Sequence, residues 1–368
     1  MGTRTGKRDQ RMNRRLIVVR PVCELQGRTQ RMWSVLDPVL SKIEKEGTEV
    51  VIAEKVSQLD DITLGGERIL FAICLNDAGI NMEYYRLLEG FRKHPDCLKG
   101  SVGGIIVDGS SELYTKALAR RLAFSANNAG CTFPGKPLVE ATGSLGNFHV
   151  LSKIRGVEPI EVYSQQTEAL VRKILGFEIP SEDRRLNVLA LHASQRRTSN
   201  TLLLWDKVRR SLEERADITE ISLRDGAVTD CIGCKYEDCL HFGENGRCFY
   251  GGIITERVYP AILDADVLIM ICPNYNDAVS ANFTAFINRL TALFRAHDFS
   301  SKRIYALVVS GYSGGDIVSE QIIGALNFNK SFILPDRFVM NETANDPKSI
   351  LAIPDIDEKA RVFADRIW

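Results

Sequence analysis

The sequence predicts an α/β protein made of two tandem doubly wound parallel sheets, and three observations predict it. Short apolar runs alternate with helical stretches along the whole chain, the pattern of strands buried on both faces and joined by crossover helices. The segments repeat in order: Arg14-Arg15-Leu16 matches Arg184-Arg185-Leu186 at an offset of 170, and ILFAICLN at 69–76 matches VLIMICPN at 267–274 at an offset of 198. Further on, VDG at 107–109 answers VSG at 309–311. Any two α/β units share buried-strand composition, but common order, element length and a paired Cys and Asn together argue for duplication.

Taken in order, the first half reads as strand 16–19 (LIVV), helix 28–46, strand 49–53 (EVVIA) and strand 69–74 (ILFAIC). Helix 82–94, strand 103–107 (GGIIV), helix 112–127, a weak strand at 137–140 and helix 161–176 follow. The second half reads as strand 186–191, helix 199–213, strand 218–223, a Cys-rich loop, a helix ending near 263 and strand 267–272. Helix 281–294, strand 304–309, a helix near 317–327, strand 332–339 and a last helix to 368 complete it. The expected division is a basic tail at 1–15, one unit at 16–180, and a second at 184–368 carrying the cysteine loop 231–248.

Composition bounds the function. The 368 residues suit two domains at roughly 100–200 residues each. Lys plus Arg equals Asp plus Glu at 47 each, and neither nucleic acid nor an anionic membrane selects so balanced a surface. No apolar run approaches the roughly 20 residues that span a bilayer. The first fifteen residues hold six basic groups and one acid with no apolar stretch, so we expect no secretory signal and a cytoplasmic chain. In such a compartment, clustered cysteines suggest metal or redox chemistry more than disulfides.

The second half carries the chemistry. Strand 186–191 runs into HASQRRTSNT at 192–201 and then a helix. Ser194, Arg196, Thr198, Ser199, Asn200 and Thr201 place hydroxyls, a charge and free N–H groups at a helix N-terminus, which suits a phosphate monoester. The plainer reading is N-capping by Thr198 or Ser199. Pro273, Asn274, Tyr275 and Asn276 follow strand 267–272, and Ser310, Gly311, Tyr312, Gly314 and Gly315 follow strand 304–309. Three such loops meet where strand order reverses, and they offer aromatic faces, amides and close backbone approach. The implied ligand is a flat heterocycle with one phosphate, which FMN fits. Surface packing and simple turns are the plainer readings of the tyrosines and glycines.

The cysteines stand as C-x2-C-x4-C-x8-C: Cys231, Cys234, Cys239 and Cys248. Four thiolates in one loop can hold a [4Fe–4S] cluster or a tetrahedral zinc, and the third reading is four free thiols. Cys23, Cys74, Cys97, Cys131 and Cys272 read as packing residues. No HExxH, GxSxG or kinase set occurs, and 130–137 misses a P-loop because Pro137 stands where Ser or Thr is required.

On SQRRTSNT (194–201), CIGC (231–234), ILDADVLIMICPNYN (262–276), FINR (286–289) and SGYSGG (310–315), residues 184–368 resemble the NADPH-dependent FMN reductase group of the flavodoxin-like fold. Within it they resemble the iron–sulfur flavoprotein branch. The resemblance implies FMN in the three loops, NAD(P)H or another donor as reductant, a small-molecule electron acceptor, and a [4Fe–4S] cluster in preference to zinc. It departs in the wider spacing of the last cysteines and in Asn288, where the family usually carries an acid. The runner-up function is an FMN and iron–sulfur electron carrier with no turnover of its own. The first half reads as a degenerate flavodoxin-like copy: Glu24 would repel a phosphate, and the loop 108–112 is acidic where its counterpart has glycines. We expect it to take a partner subunit's place in an intramolecular pseudo-dimer.

Overall fold

A computed structural model describes residues 15–23, 29–181, 183–194 and 199–368. The basic tail up to residue 14, Glu24, Arg196 and Thr198 lie outside the described residues. The chain divides into two compact units, Met1–Ile179 and Pro180–Trp368.

The first unit runs β1 (Arg15–Val19), α1 (Thr29–Lys45), β2 (Glu49–Ala53), β3 (Arg68–Leu75), α2 (Met82–Lys93), β4 (Val102–Gly109), α3 (Thr115–Asn128), β5 (Leu138–Ala141), α4 (His149–Arg155) and α5 (Pro159–Gly176). Its strands are all parallel in the order β2-β1-β3-β4-β5. Leu16, Val18, Leu70 and Ala72 meet Met32, Leu36, Val39 and Ile43 of α1, whose spacing of three or four residues lays one apolar stripe on the sheet. Asn81 fixes where α2 begins. Its side-chain oxygen accepts from the Tyr84 N–H, and its amide donates to the Cys74 carbonyl at the end of β3.

The second unit runs β6 (Leu186–His192), α6 (Asn200–Leu212), β7 (Ala216–Ser222), α7 (Tyr236–Glu244), α8 (Tyr259–Asp264), β8 (Val267–Pro273), α9 (Ala281–Ala296), β9 (Arg303–Ser310), α10 (Gly315–Ile322), β10 (Val339–Thr343) and α11 (Ile356–Ile367). Its order, β10-β9-β8-β6-β7, is the first unit's read from the other edge. The two sheets are thus the same doubly wound, flavodoxin-like arrangement. Both also tie the start of their first strand to the start of their third by an arginine–carboxylate pair. Arg15 meets Glu67 at 2.8 Å in one, and Arg184 meets Asp266 at 2.6 Å in the other.

The structure corrects the sequence reading in three places. The expected strand 332–339 begins only at Val339, because Arg337 takes a left-handed backbone (φ 48°) after Pro335 and breaks the run. Phe332, Ile333 and Leu334 are still buried, and Ile333 makes an isolated bridge to Arg303. The cysteine loop contains a helix, α7, and α4 precedes α5; neither has a long enough apolar stripe to announce itself.

Asp266 gives a pH test. The Arg184 guanidinium beside it and the Asn187 N–H hold its carboxyl below the ordinary carboxylate range, against desolvation. A depressed folded pKa contributes stability that is complete above the unfolded value near 4 and lost as pH falls through the folded one. Asp266→Asn should therefore lower Tm at pH 7 and show a shrinking deficit against wild type below about pH 4. Parallel melting curves at both pH values check this, and a deficit unchanged by pH contradicts it.

Candidate functional site

The carboxyl ends of β6, β8 and β9 bring the predicted loops together. Ser194, two residues past β6, is 4% exposed, and its hydroxyl has no partner among the described residues. Ser199 is the N-cap of α6, its oxygen accepting from the Leu202 N–H at 3.2 Å, and Thr201 is buried in the first turn. Asn200 is turned elsewhere. Its amide donates to the carbonyls of Ala344 and Asp346 at 3.1 and 2.8 Å, so it holds the segment after β10 against the start of α6.

The loops after β8 and β9 are joined to each other. The Asn274 amide donates to the Ser310 hydroxyl at 3.2 Å and to the Ser313 carbonyl at 2.8 Å. Asn276 and Asp277 turn the chain with positive φ of 53° and 55°. Gly314 is required by this junction: its φ is +82°, and a Cβ there would lie 1.9 Å from the Asp277 carboxylate. Pro273 is buried as the last residue of β8, and Gly311 and Gly315 approach the side chains of Asn345 and Asn341. Tyr275 and Tyr312 are exposed, Tyr312 by 80%, and the Asn274 side-chain oxygen is buried with no partner among the described residues. Sequence reading missed Asp277 as the neighbour of Gly314, although it belongs to the same Pro273–Asp277 run.

The cysteine loop is held at both stems by one buried side chain. Arg289 of α9 donates to the Thr229 carbonyl at 3.3 Å, before Cys231, and to the Gly251 carbonyl at 2.7 Å, after Cys248. Asn288 donates to Asp230, which also accepts the Cys231 N–H. This accounts for the departure from the family pattern, since an acid at 288 would face the Asp230 carboxylate and repel it. α7 lies tight on α9, because a Cβ on Gly243 would fall 2.1 Å from the Ala292 carbonyl oxygen. Cys231 and Cys234 are exposed, while Cys239 and Cys248 are half-buried. Burial raises the Cys239 thiol above its ordinary value; Arg295 opposes that, and Cys248, Cys231 and Cys234 reinforce it. Among the described residues no three His, Cys, Asp or Glu side chains are drawn close enough to hold a metal ion.

The matching place in the first unit is filled by protein. Asp108, the counterpart of Ser310, is 2% exposed at the end of β4. Arg31 of α1 reaches it with two nitrogens at 2.5 to 3.2 Å and also donates to the carbonyls of Gly109, Thr142 and Gly143. Asn76, the counterpart of Asn274, closes its own turn by accepting from Ala78 and Ile80. Asp108, which the sequence shows only as part of an acidic loop, is thus an anchor for an arginine.

A doubly wound sheet with the order β10-β9-β8-β6-β7 is a flavodoxin-like α/β unit. Residues 186–346, within the second unit, match the family model for NADPH-dependent FMN reductase. The chain is also similar to three solved structures. One is RosB with a bound 8-demethyl-8-formylriboflavin-5'-phosphate intermediate (17% identity, 49% of this chain and 76% of that chain, TM-score 0.39). Another is an apo NADH:FMN oxidoreductase, EMOB (17%, 50% and 89%, TM-score 0.34). The third is NAD(P)H:quinone oxidoreductase from Methanothermobacter marburgensis (14%, 50% and 100%, TM-score 0.37). Comparison with curated proteins finds no match. No helix among the described residues is long and apolar enough to cross a membrane.

Two substitutions test this geometry. Arg289→Met should raise amide exchange across 229–251 by roughly tenfold, the loss of one or two hydrogen bonds near 1 kcal/mol each, while β8 and β9 keep their protection. Uniform protection in the variant would contradict the clamp. Arg31→Ala should destabilise the first unit by about 3–5 kcal/mol, because it strands a buried carboxylate, and Arg31→Met with Asp108→Leu should recover most of that. Denaturant melts of the three chains check it; a mild single-variant loss would contradict it.

Proposed function

We propose that the second unit binds FMN at the carboxyl ends of β6, β8 and β9 and passes electrons from NAD(P)H to a small-molecule acceptor. The observation that supports this most is the Ser194 hydroxyl, buried and without a partner among the described residues, just ahead of the α6 N-terminus. A buried hydroxyl left unpaired costs about 1–3 kcal/mol, and a phosphate oxygen removes that cost. Bound FMN supplies the ring that accepts a hydride from nicotinamide.

The chain's own groups then bind and orient. Ser194 donates to the phosphate. Ser199 accepts from Leu202 and keeps its own O–H to donate. Thr201 and the free N–H groups of the first turn add the positive end of α6. Arg196 and Thr198 are assigned the remaining phosphate charge. The unpaired Asn274 oxygen offers an acceptor to a ring N–H, and the backbone at Pro273, Asn276, Ser310, Gly311, Gly314 and Gly315 permits close approach. Tyr275 and Tyr312 present exposed rings on which a flat molecule can lie. Asn200 acts indirectly, by holding residues 344–346.

In this proposal Cys231, Cys234, Cys239 and Cys248 hold a [4Fe–4S] cluster, which would supply one-electron transfer. The four cysteines' place in one loop whose stems Arg289 holds supports it. Four thiolates could equally hold a tetrahedral zinc, and the metal content of the protein separates the two.

Ser194→Ala should weaken FMN binding about fivefold to tenfold with the apoprotein's Tm unchanged. Flavin fluorescence titration measures it, and unchanged affinity would remove Ser194 from the phosphate site. The flavin-loaded chain should oxidise NADH or NADPH in the presence of menadione. No oxidation with flavin bound would favour the electron-carrier reading. Protein prepared without oxygen should carry about four iron and four sulfide per chain, and Cys239→Ser should lower both; stoichiometric zinc or metal-free protein contradicts the cluster.

A further inference from the structure

The first unit has a second concavity, built by a shortened crossover. Between β2 and β3 the chain has only residues 54–67 and one 3-10 turn, Val56–Asp61, whereas the second unit has residues 223–266 with α7 and α8 at the same place. No full crossover helix therefore covers that side of α2. What remains is a cavity of about 500 Å³ with a floor of Leu59, Ile62, Leu64, Leu87 and Phe91. Phe91 is seated on the sheet, edge-on to Phe71 with ring centroids 5.9 Å apart.

The cavity is held open by design of its walls. At one end the Val56 N–H donates to Glu83 of α2 at 2.8 Å. At the other the Gly66 N–H donates to the Lys99 carbonyl at 3.0 Å. Gly90 faces the space from the interior of α2. Glycine inside a helix costs roughly 0.5–1 kcal/mol relative to alanine. Here neither a turn nor a close neighbour demands it, for a Cβ on Gly90 would meet nothing within 4 Å. The missing side chain serves only to keep the cavity free. Charge narrows the occupant: the ionisable oxygen-bearing lining residues are Asp60 and Asp96, both exposed, with His94 beside them, and among the described residues no Lys or Arg lines the cavity. Cavities of this size hold small molecules, with apolar walls supplying affinity and a few polar groups the selection.

We propose that this cavity is a binding site for a small hydrophobic amine, its apolar body on Leu87 and Phe91 and its ammonium toward Asp60 and Asp96. The site is independent of the flavin reading, since every residue in it belongs to the first unit.

Calorimetric titration of the full chain with 2-naphthylmethylamine and with 2-naphthoate, which share a ring and differ in charge, tests it. The amine should bind at least about tenfold more tightly than the carboxylate. Gly90→Leu fills the cavity and favours the helix, and should reduce amine binding by more than about tenfold with the circular dichroism spectrum unchanged. Asp60→Asn with Asp96→Asn should erase the preference for the amine, and this surface variant decides the matter if Gly90→Leu fails to fold. No amine binding at millimolar concentration, equal affinity for the carboxylate, amine binding unchanged in a folded Gly90→Leu chain, or a preference that survives the double Asn variant would each overturn the proposal.

Discussion

A doubly wound parallel sheet leaves a crevice where its strand order reverses, and the polar backbone that lines it must be met by something. Both units face this constraint at the same three strand ends. The first answers it with Arg31, whose guanidinium pairs with buried Asp108 and takes the carbonyls of Gly109, Thr142 and Gly143. The second has Ser310 where Asp108 stands, a shorter side chain reached by the Asn274 amide, and among the described residues the Ser194 hydroxyl and the Asn274 side-chain oxygen have no partner. One crevice is closed by an internal ion pair. The other keeps the unpaired groups that a phosphate-bearing ligand would satisfy.

The same comparison explains the crossovers. In the second unit the long crossover after β7 carries the cysteines and is anchored through Arg289 and the Gly243–Ala292 contact to α9. In the first unit the corresponding crossover is cut short, so α2 is left with a pocket where α9 has a loop clamped against it. An insertion of that length survives on a fold because its ends, Thr229 and Gly251, are brought to one guanidinium. The interior of the loop is then free to diverge in cysteine spacing without disturbing the sheet.

The order of strands and helices was legible because strands buried on both faces, such as ILFAICL and VLIMICP, read as uninterrupted apolar runs. β10 was misplaced because 332–334 is apolar and buried but makes only an isolated bridge to β9 at Arg303, with Arg337 breaking the path before Val339. The hydroxyl loop was visible as local chemistry. The task of Asn200 was not, since its acceptors lie 144 and 146 residues further on. Arg31 was invisible as a site filler for the same reason: nothing in α1 announces a partner 77 residues away. Local patterns report backbone and capping; the pairing that decides which crevice stays open is tertiary.

The most direct test of this account is the stoichiometry of FMN on the full chain after its flavin has been removed. Calorimetric titration should give one site per chain in wild type. The count should remain one in the Arg31→Met, Asp108→Leu chain and should fall toward zero when Ser194, Ser199 and Thr201 are all replaced by alanine. Two sites per chain, or one site that survives the triple replacement unchanged, would contradict the claim that the second crevice alone is built for the flavin.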